Sequence, residues 1–107
     1  MKLTVEIQAR SEKTQELYQT LQAILPSIRG EKGCRDCRIW QDVEDGEIFF
    51  LAVEWKSREG LEQAMRSGSG GAFLGAVELL AATVRVRLGE DSPWEGIESL
   101  KRMRKKA

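Results

Sequence analysis

Two cysteines three residues apart, in Cys34-Arg35-Asp36-Cys37, have the spacing used by redox dithiols and by zinc sites. A redox pair normally sits at a helix N-terminus, where the dipole lowers the pKa of the first thiol. Here the pair leads into a strand, on which positions i and i+3 are expected to point to opposite faces, against an internal disulfide. A closed zinc site needs four ligands, and the chain has no histidine and only two cysteines. The remaining ligands would have to come from a second subunit. The ordinary reading is structural: two small apolar side chains, with redox and inter-subunit metal roles as the alternatives. The missing histidine also removes the commonest general base and any histidine-ligated haem. No metal and no cofactor are expected.

Other residues that could serve a ligand are scattered. Gly68, Gly70 and Gly71 in Ser67-Gly68-Ser69-Gly70-Gly71 do not follow the dinucleotide or P-loop spacing, and no lysine follows as a P-loop requires. They read as a flexible break in a helix, compatible with a mobile lip over a pocket. Glu44, Asp45 and Glu47 cluster at a turn and are solvated. Glu54 reads as a buried or rim acid. Tyr18, the single tyrosine, lies beside a helix stripe and is a candidate hydrogen-bond donor, though partial burial would also explain it. Trp40 and Trp55 fall on strands, where a large aromatic ordinarily fills core. Trp55 ends its strand just before a helix, where a pocket could form between sheet and helices.

The elements that would position these residues follow from periodicity. Lys2 to Arg10 alternates, with Leu3, Val5, Ile7 and Ala9 on one face, as a half-buried strand. Ser11 offers an N-cap, and Leu17, Leu21, Ile24, Leu25 and Ile28 recur at helical spacing over about 12–29. Pro26 should kink that helix or shorten its last turn. A second strand is expected over 35–43, with Cys37, Ile39 and Val43 opposite Arg38, Trp40 and Asp42. Glu44-Asp45-Gly46 is a hairpin turn cue. Ser57 caps a helix carrying Leu61, Ala64 and Met65, which resumes after the glycines with Phe73, Val77 and Leu80. Val84, Val86 and Leu88 alternate in a last strand.

The third strand, 47–55, is apolar on both faces: Ile48, Phe50 and Ala52 on one, Phe49, Leu51, Val53 and Trp55 on the other. Such a strand is central and covered on both sides. The order βαββαβ is the ferredoxin-like unit, an α+β fold with two helices on one face of a four-stranded antiparallel sheet. The second face then lacks a cover within the chain. Leaving its large side chains wet would forfeit about 1.5–3 kcal/mol each. A homodimer packing sheet on sheet, with charge pairs among Glu6, Arg38, Asp42, Arg85 and Arg87 at the rim, is therefore expected. Residues 1–88 form this domain. Residues 89–107 form an extension in which Ser92, Pro93 and Glu95 signal a helix start, with Trp94 as its docking anchor.

Composition narrows the function classes. The chain of 107 residues is 41% hydrophobic and 32% charged, with net charge zero. Residues 1–100 carry twelve Lys/Arg against seventeen Asp/Glu, and Lys101, Arg102, Arg104, Lys105 and Lys106 restore neutrality. An acidic body with a basic tail does not suit a nucleic-acid binder. No apolar run approaches the ~20 residues of a membrane helix. The N-terminus alternates from Lys2 with no signal-peptide pattern, so a cytoplasmic protein is expected.

Gly33-Cys34 before the second strand, then Phe50-Leu51-Ala52-Val53-Glu54-Trp55-Lys56-Ser57-Arg58-Glu59-Gly60-Leu61, resembles the antibiotic biosynthesis monooxygenase family over residues 1–88. The resemblance implies a dimeric α+β barrel with a cavity between sheet and helices for an aromatic or quinol-like molecule. It also implies, for some members, oxygenation by dioxygen without metal or flavin, an electron-rich deprotonated substrate reducing the oxygen itself. Related haem-degrading members use a strand-one asparagine, a strand-three tryptophan and a second-helix histidine. Of these the tryptophan is present as Trp55, Gln8 is the nearest strand-one amide, and the histidine position falls within Gly70–Leu74. The candidate pocket is Gln8, Tyr18, Trp55, Met65 and Phe73, with Gln8 or Tyr18 as its polar handle. A monooxygenase-like protein and a non-catalytic dimeric ligand- or protein-binding module remain the two readings.

Overall fold

The computed structural model describes residues 1–105; Lys106, the last residue of the basic tail, and Ala107 lie outside them. Strands β1 (Lys2–Ala9), β2 (Cys34–Gln41), β3 (Ile48–Trp55) and β4 (Ala81–Leu88) form one antiparallel sheet in the order β2-β3-β1-β4. Helices α1 (Thr14–Arg29), α2 (Arg58–Arg66) and α3 (Gly68–Leu80) cover one face, and α4 (Glu98–Lys105) follows β4. This is the ferredoxin-like α+β fold.

The strand parity read from the sequence is the parity observed. Leu3, Val5 and Ile7 on β1, and Phe49, Leu51, Val53 and Trp55 on β3, are buried beneath Leu17, Leu21, Ile24, Leu61, Phe73 and Val77 of the helices. β3 lies between β1 and β2, as a strand with two apolar faces should. Its other face is half-exposed at Ile48, Phe50 and Ala52. There Phe50 stacks on Trp40 at 5.5 Å between ring centres, and Arg85 pairs with Glu6 at 2.7 Å.

Several boundaries differ from expectation, each for a local reason. α1 starts at Thr14 rather than at a Ser11 cap. Lys13 N–H donates to Arg10 O, and Glu12 takes a left-handed φ of 65°, so the chain turns once more before the helix can begin. The other end of α1 falls at Arg29 as expected, with Pro26 inside the helix. The hydrogen bond that proline cannot donate would have gone to the Gln22 carbonyl, and both residues are exposed to water. β2 ends at Gln41, leaving Val43 fully exposed in the turn. Asp42 Oδ2 accepts from Glu44 and Asp45 N–H and shapes this longer connection.

The glycine-rich stretch is not a loop. Only Ser67 is non-helical, with φ −82° and ψ 176°, and Gly68 to Gly71 open α3. A Cβ on Gly70 would lie 2.5 Å from Ala64 O and 2.6 Å from Met65 Cα, so a glycine there lets the first turn of α3 pack on the last turn of α2.

The expected helix start at Ser92-Pro93 is overturned as well. Residues 92–95 are not helical, Val86 and Glu95 exchange two backbone hydrogen bonds of 2.7 Å, and the helix begins at Glu98. β4 is an edge strand with free backbone groups, and this bridge satisfies two of them. Trp94 is drawn over the guanidinium groups of Arg85 and Arg87, 4.8 and 4.9 Å from its ring centre. α4 is therefore anchored not by Trp94 but by Leu100 and Met103, both buried.

Candidate functional site

The two-faced β3 places Trp55 at its end on the helix-covered side. Trp55 is 3% exposed. Ser57 then starts α2, its Oγ accepting from Gly60 N–H at 3.1 Å. Gly60 and Gly33 meet in a contact that tolerates no side chain: a Cβ on Gly33 would lie 2.8 Å from Gly60 Cα. The same Cβ would lie 3.5 Å from Trp55 Cε3, so this glycine pair closes around that edge of the indole. Nε1, on the opposite edge, is buried and has no hydrogen-bond partner among the described residues.

Trp55, Met65 and Phe73 line one cavity between sheet and helices. Three of the five pocket residues expected from the sequence thus come together. Gln8 and Tyr18 do not join them. Gln8 has the parity of Glu6 and lies on the open sheet face, where its Oε1 accepts from Thr83 Oγ1 at 3.3 Å. Tyr18 is 40% exposed, its hydroxyl accepts from Gln22, and it borders a separate cleft with Trp40 and Phe49. Neither supplies the polar handle.

Glu31 and Ser69 line the cavity instead, with Leu100 of α4. Ser69 Oγ donates to Glu31 Oε2 at 2.9 Å. Ser67 Oγ lies 3.3 Å from the same oxygen but only 2.6 Å from Ala64 O. With one proton to give, it serves the nearer carbonyl, leaving Ser69 as the principal donor. The only sequence signal for Glu31 was an acid set between Gly30 and Gly33, on its own no more than a turn. The space open to the centre of a water molecule is about 30 Å³, room for roughly two waters. An aromatic ring requires the wall to move, and unbranched Met65 is its most adaptable member.

Arg104 pins that wall from outside. Its Nη1 donates to Met65 O at 2.9 Å and to Ser67 O at 2.8 Å, satisfying carbonyls freed at the α2–α3 break. A Cβ on Gly71 would lie 2.8 Å from Arg104 Nη2.

The cysteines behave as packing residues, though not for the geometric reason expected. A bulge between Cys34 and Asp36 sets Cys34 opposite Trp55 and Cys37 opposite Val53, so both face the helices. Both are free thiols. Burial pushes the Cys37 thiol up to about 12 and raises that of Cys34. A nucleophilic thiolate needs the reverse. Among the described residues no group of three metal-ligating side chains is placed to hold an ion. Glu54 is a rim acid, 3.5 Å from the amino group of Met1.

A family model described as antibiotic biosynthesis monooxygenase matches residues 1–78, stopping short of β4 and α4. No curated protein matches. A solved Pseudomonas aeruginosa protein is 25% identical over 82% of this chain and 93% of its own, with TM-score 0.74. A Mycobacterium tuberculosis protein is 21% identical over 85% and 95%, TM-score 0.73. A structure named antibiotic biosynthesis monooxygenase superposes with TM-score 0.76 at 16% identity, over 86% and 98%. No helix among the described residues is long and apolar enough to cross a membrane.

Proposed function

The chain belongs to the antibiotic biosynthesis monooxygenase family, and from that premise we propose a homodimer that binds an aromatic or quinol-type small molecule in the Trp55 cavity and oxidises it with dioxygen. The observation that carries the reading is Trp55, which lines a cavity walled mostly by carbon and has a buried N–H with no partner among the described residues. A buried donor left unpaired costs about 1–3 kcal/mol, and a ligand oxygen would satisfy it. The fold and the family support monooxygenase-like chemistry. The residues identified here supply binding and the exclusion of water, while the electrons would come from the substrate.

The dimer rests on the open sheet face. Phe50, Ile48, Ala52 and the exposed Trp40 form an apolar ridge, with the Glu6–Arg85 pair beside it. A second copy laid on this face would bury the ridge of each subunit.

Oxygen uptake with a panel of quinols and anthrones tests the proposal. The wild type should consume dioxygen, and Trp55→Phe, which keeps the ring and removes the N–H, should lose at least tenfold in kcat/KM. Saturable binding without uptake would make the protein a binding module. Neither uptake nor binding across the panel would overturn the pocket altogether.

A further inference from the structure

Among the described residues, Leu100 is the only one lining the Trp55 cavity from beyond residue 78, where the match to the family ends. It is fully buried and reaches the cavity from α4, which packs on α2 and α3. As far as Glu95 the chain is tied to β4, by the two backbone bonds with Val86 and by Trp94 over Arg85 and Arg87. Past Glu95, no backbone–backbone hydrogen bond joins the described chain to another element. Side chains hold α4 instead. Leu100 and Met103 are buried, Arg104 Nη1 donates to Met65 O and Ser67 O, and Arg66 Nη1 donates to Met103 O at 3.4 Å. A helix of eight residues is marginal in water on its own, so α4 depends on these contacts. The Arg104 bonds also fix the end of α2 that carries Met65, so one side chain holds both α4 and the adaptable part of the wall.

We propose that α4 regulates the cavity as a displaceable plug. With α4 seated and Leu100 in the wall, about 30 Å³ is open to the centre of a water molecule, too little for an aromatic ring. A ring enters when α4 swings away from the joint that follows Glu95, withdrawing Leu100 and freeing the Met65 end of α2. The apparent dissociation constant is then the intrinsic one divided by the fraction of molecules with α4 displaced. Loosening α4 should therefore tighten binding even as it lowers stability. A wall with a structural role alone predicts no such gain. This inference rests on the cavity reading above and adds to it how access is regulated.

Titration calorimetry with 1-naphthol and amide hydrogen exchange test the plug from two sides. Arg104→Met keeps the aliphatic stem and removes both carbonyl bonds. It should bind 1-naphthol roughly tenfold more tightly than the wild type, the worth of one charge-assisted hydrogen bond in the open–closed equilibrium. Arg104→Lys, which keeps the charge without the planar fork, should fall between. Exchange needs no variant: saturating 1-naphthol should speed exchange of the α4 amides in the wild type while β1 and β3 gain protection. Protected sheet amides also show that each variant is folded. Equal or weaker binding by folded Arg104→Met, or α4 amides that gain protection with 1-naphthol, overturns the plug and leaves the cavity reading standing. Leu100→Ala enlarges the cavity without requiring α4 to move. If it, Arg104→Met and the wild type all fail to bind 1-naphthol, the cavity reading falls and the inference with it.

Discussion

Replacing Gly70 by alanine separates helix propensity from packing at one wall of the cavity. In a helix, alanine is favoured over glycine by about 1 kcal/mol. At position 70 the new Cβ would sit 2.5 Å from Ala64 O and 2.6 Å from both Met65 Cα and Met65 O. All three are backbone atoms that no rotamer change can move, so the cost belongs at the upper end of overpacking, about 3 kcal/mol. The net expectation is a loss of about 2 kcal/mol. Gly75, on the same helix, has nothing within 4 Å of a built Cβ. Gly75→Ala should therefore stabilise by about 0.5–1 kcal/mol. Urea unfolding monitored by circular dichroism measures both, at one fixed protein concentration so that dimer linkage cancels. With a urea slope of about 2 kcal/mol per molar, the Gly70→Ala midpoint should fall by about 1 M and the Gly75→Ala midpoint should rise. If Gly70→Ala moves the midpoint upward together with Gly75→Ala, the close packing of α3 on α2 is wrong.

The sheet-face dimer predicts that Phe50→Asp weakens association. Losing one buried aromatic per subunit, twice in a symmetric interface, corresponds to about 3–6 kcal/mol, or roughly a hundred- to ten-thousand-fold in the dimer Kd. Sedimentation equilibrium reads this directly, and a folded wild-type monomer at micromolar concentration contradicts it. Cys37 predicts a pH dependence in the alkaline range. Burial pushes its thiol up to about 12 in the folded chain, against 9.0 for an unperturbed cysteine. Below pH 9 neither state ionises and its contribution is complete. Above pH 9 the unfolded chain loses the proton first, so stability declines toward pH 12 with a limiting slope of about 1.4 kcal/mol per pH unit. Cys37→Ala should show a flatter profile between pH 9 and 11 by chemical denaturation, and an unchanged slope would count against burial as the cause.

Much of the fold was legible because its signals are local. The alternation of Leu3, Val5 and Ile7 set the buried face of β1, the doubly apolar run 48–55 set β3 at the centre of the sheet, and Ser57 marked the start of α2. The same parity already put Gln8 with Glu6, on the face away from the helices, so its assignment to the pocket contradicted the strand pattern itself. Trp55, Met65 and Phe73 could be grouped because strand end, helix face and helix resumption are each readable one element at a time.

The remainder depended on contacts that periodicity does not encode. The bulge that turns Cys34 and Cys37 to one face depends on pairing with β3, and Trp94 leaves the helix because Arg85 and Arg87 wait on β4. Glu31 meets Ser69 across 38 positions, and Arg104 meets Met65 across 39. A residue's own neighbours determine its propensity and its face, and so the chain alone determined the layers and the covered side. Which side chains meet around the cavity, and which buried polar atom is left unpaired, depends on how those layers close, and only the folded structure decides it.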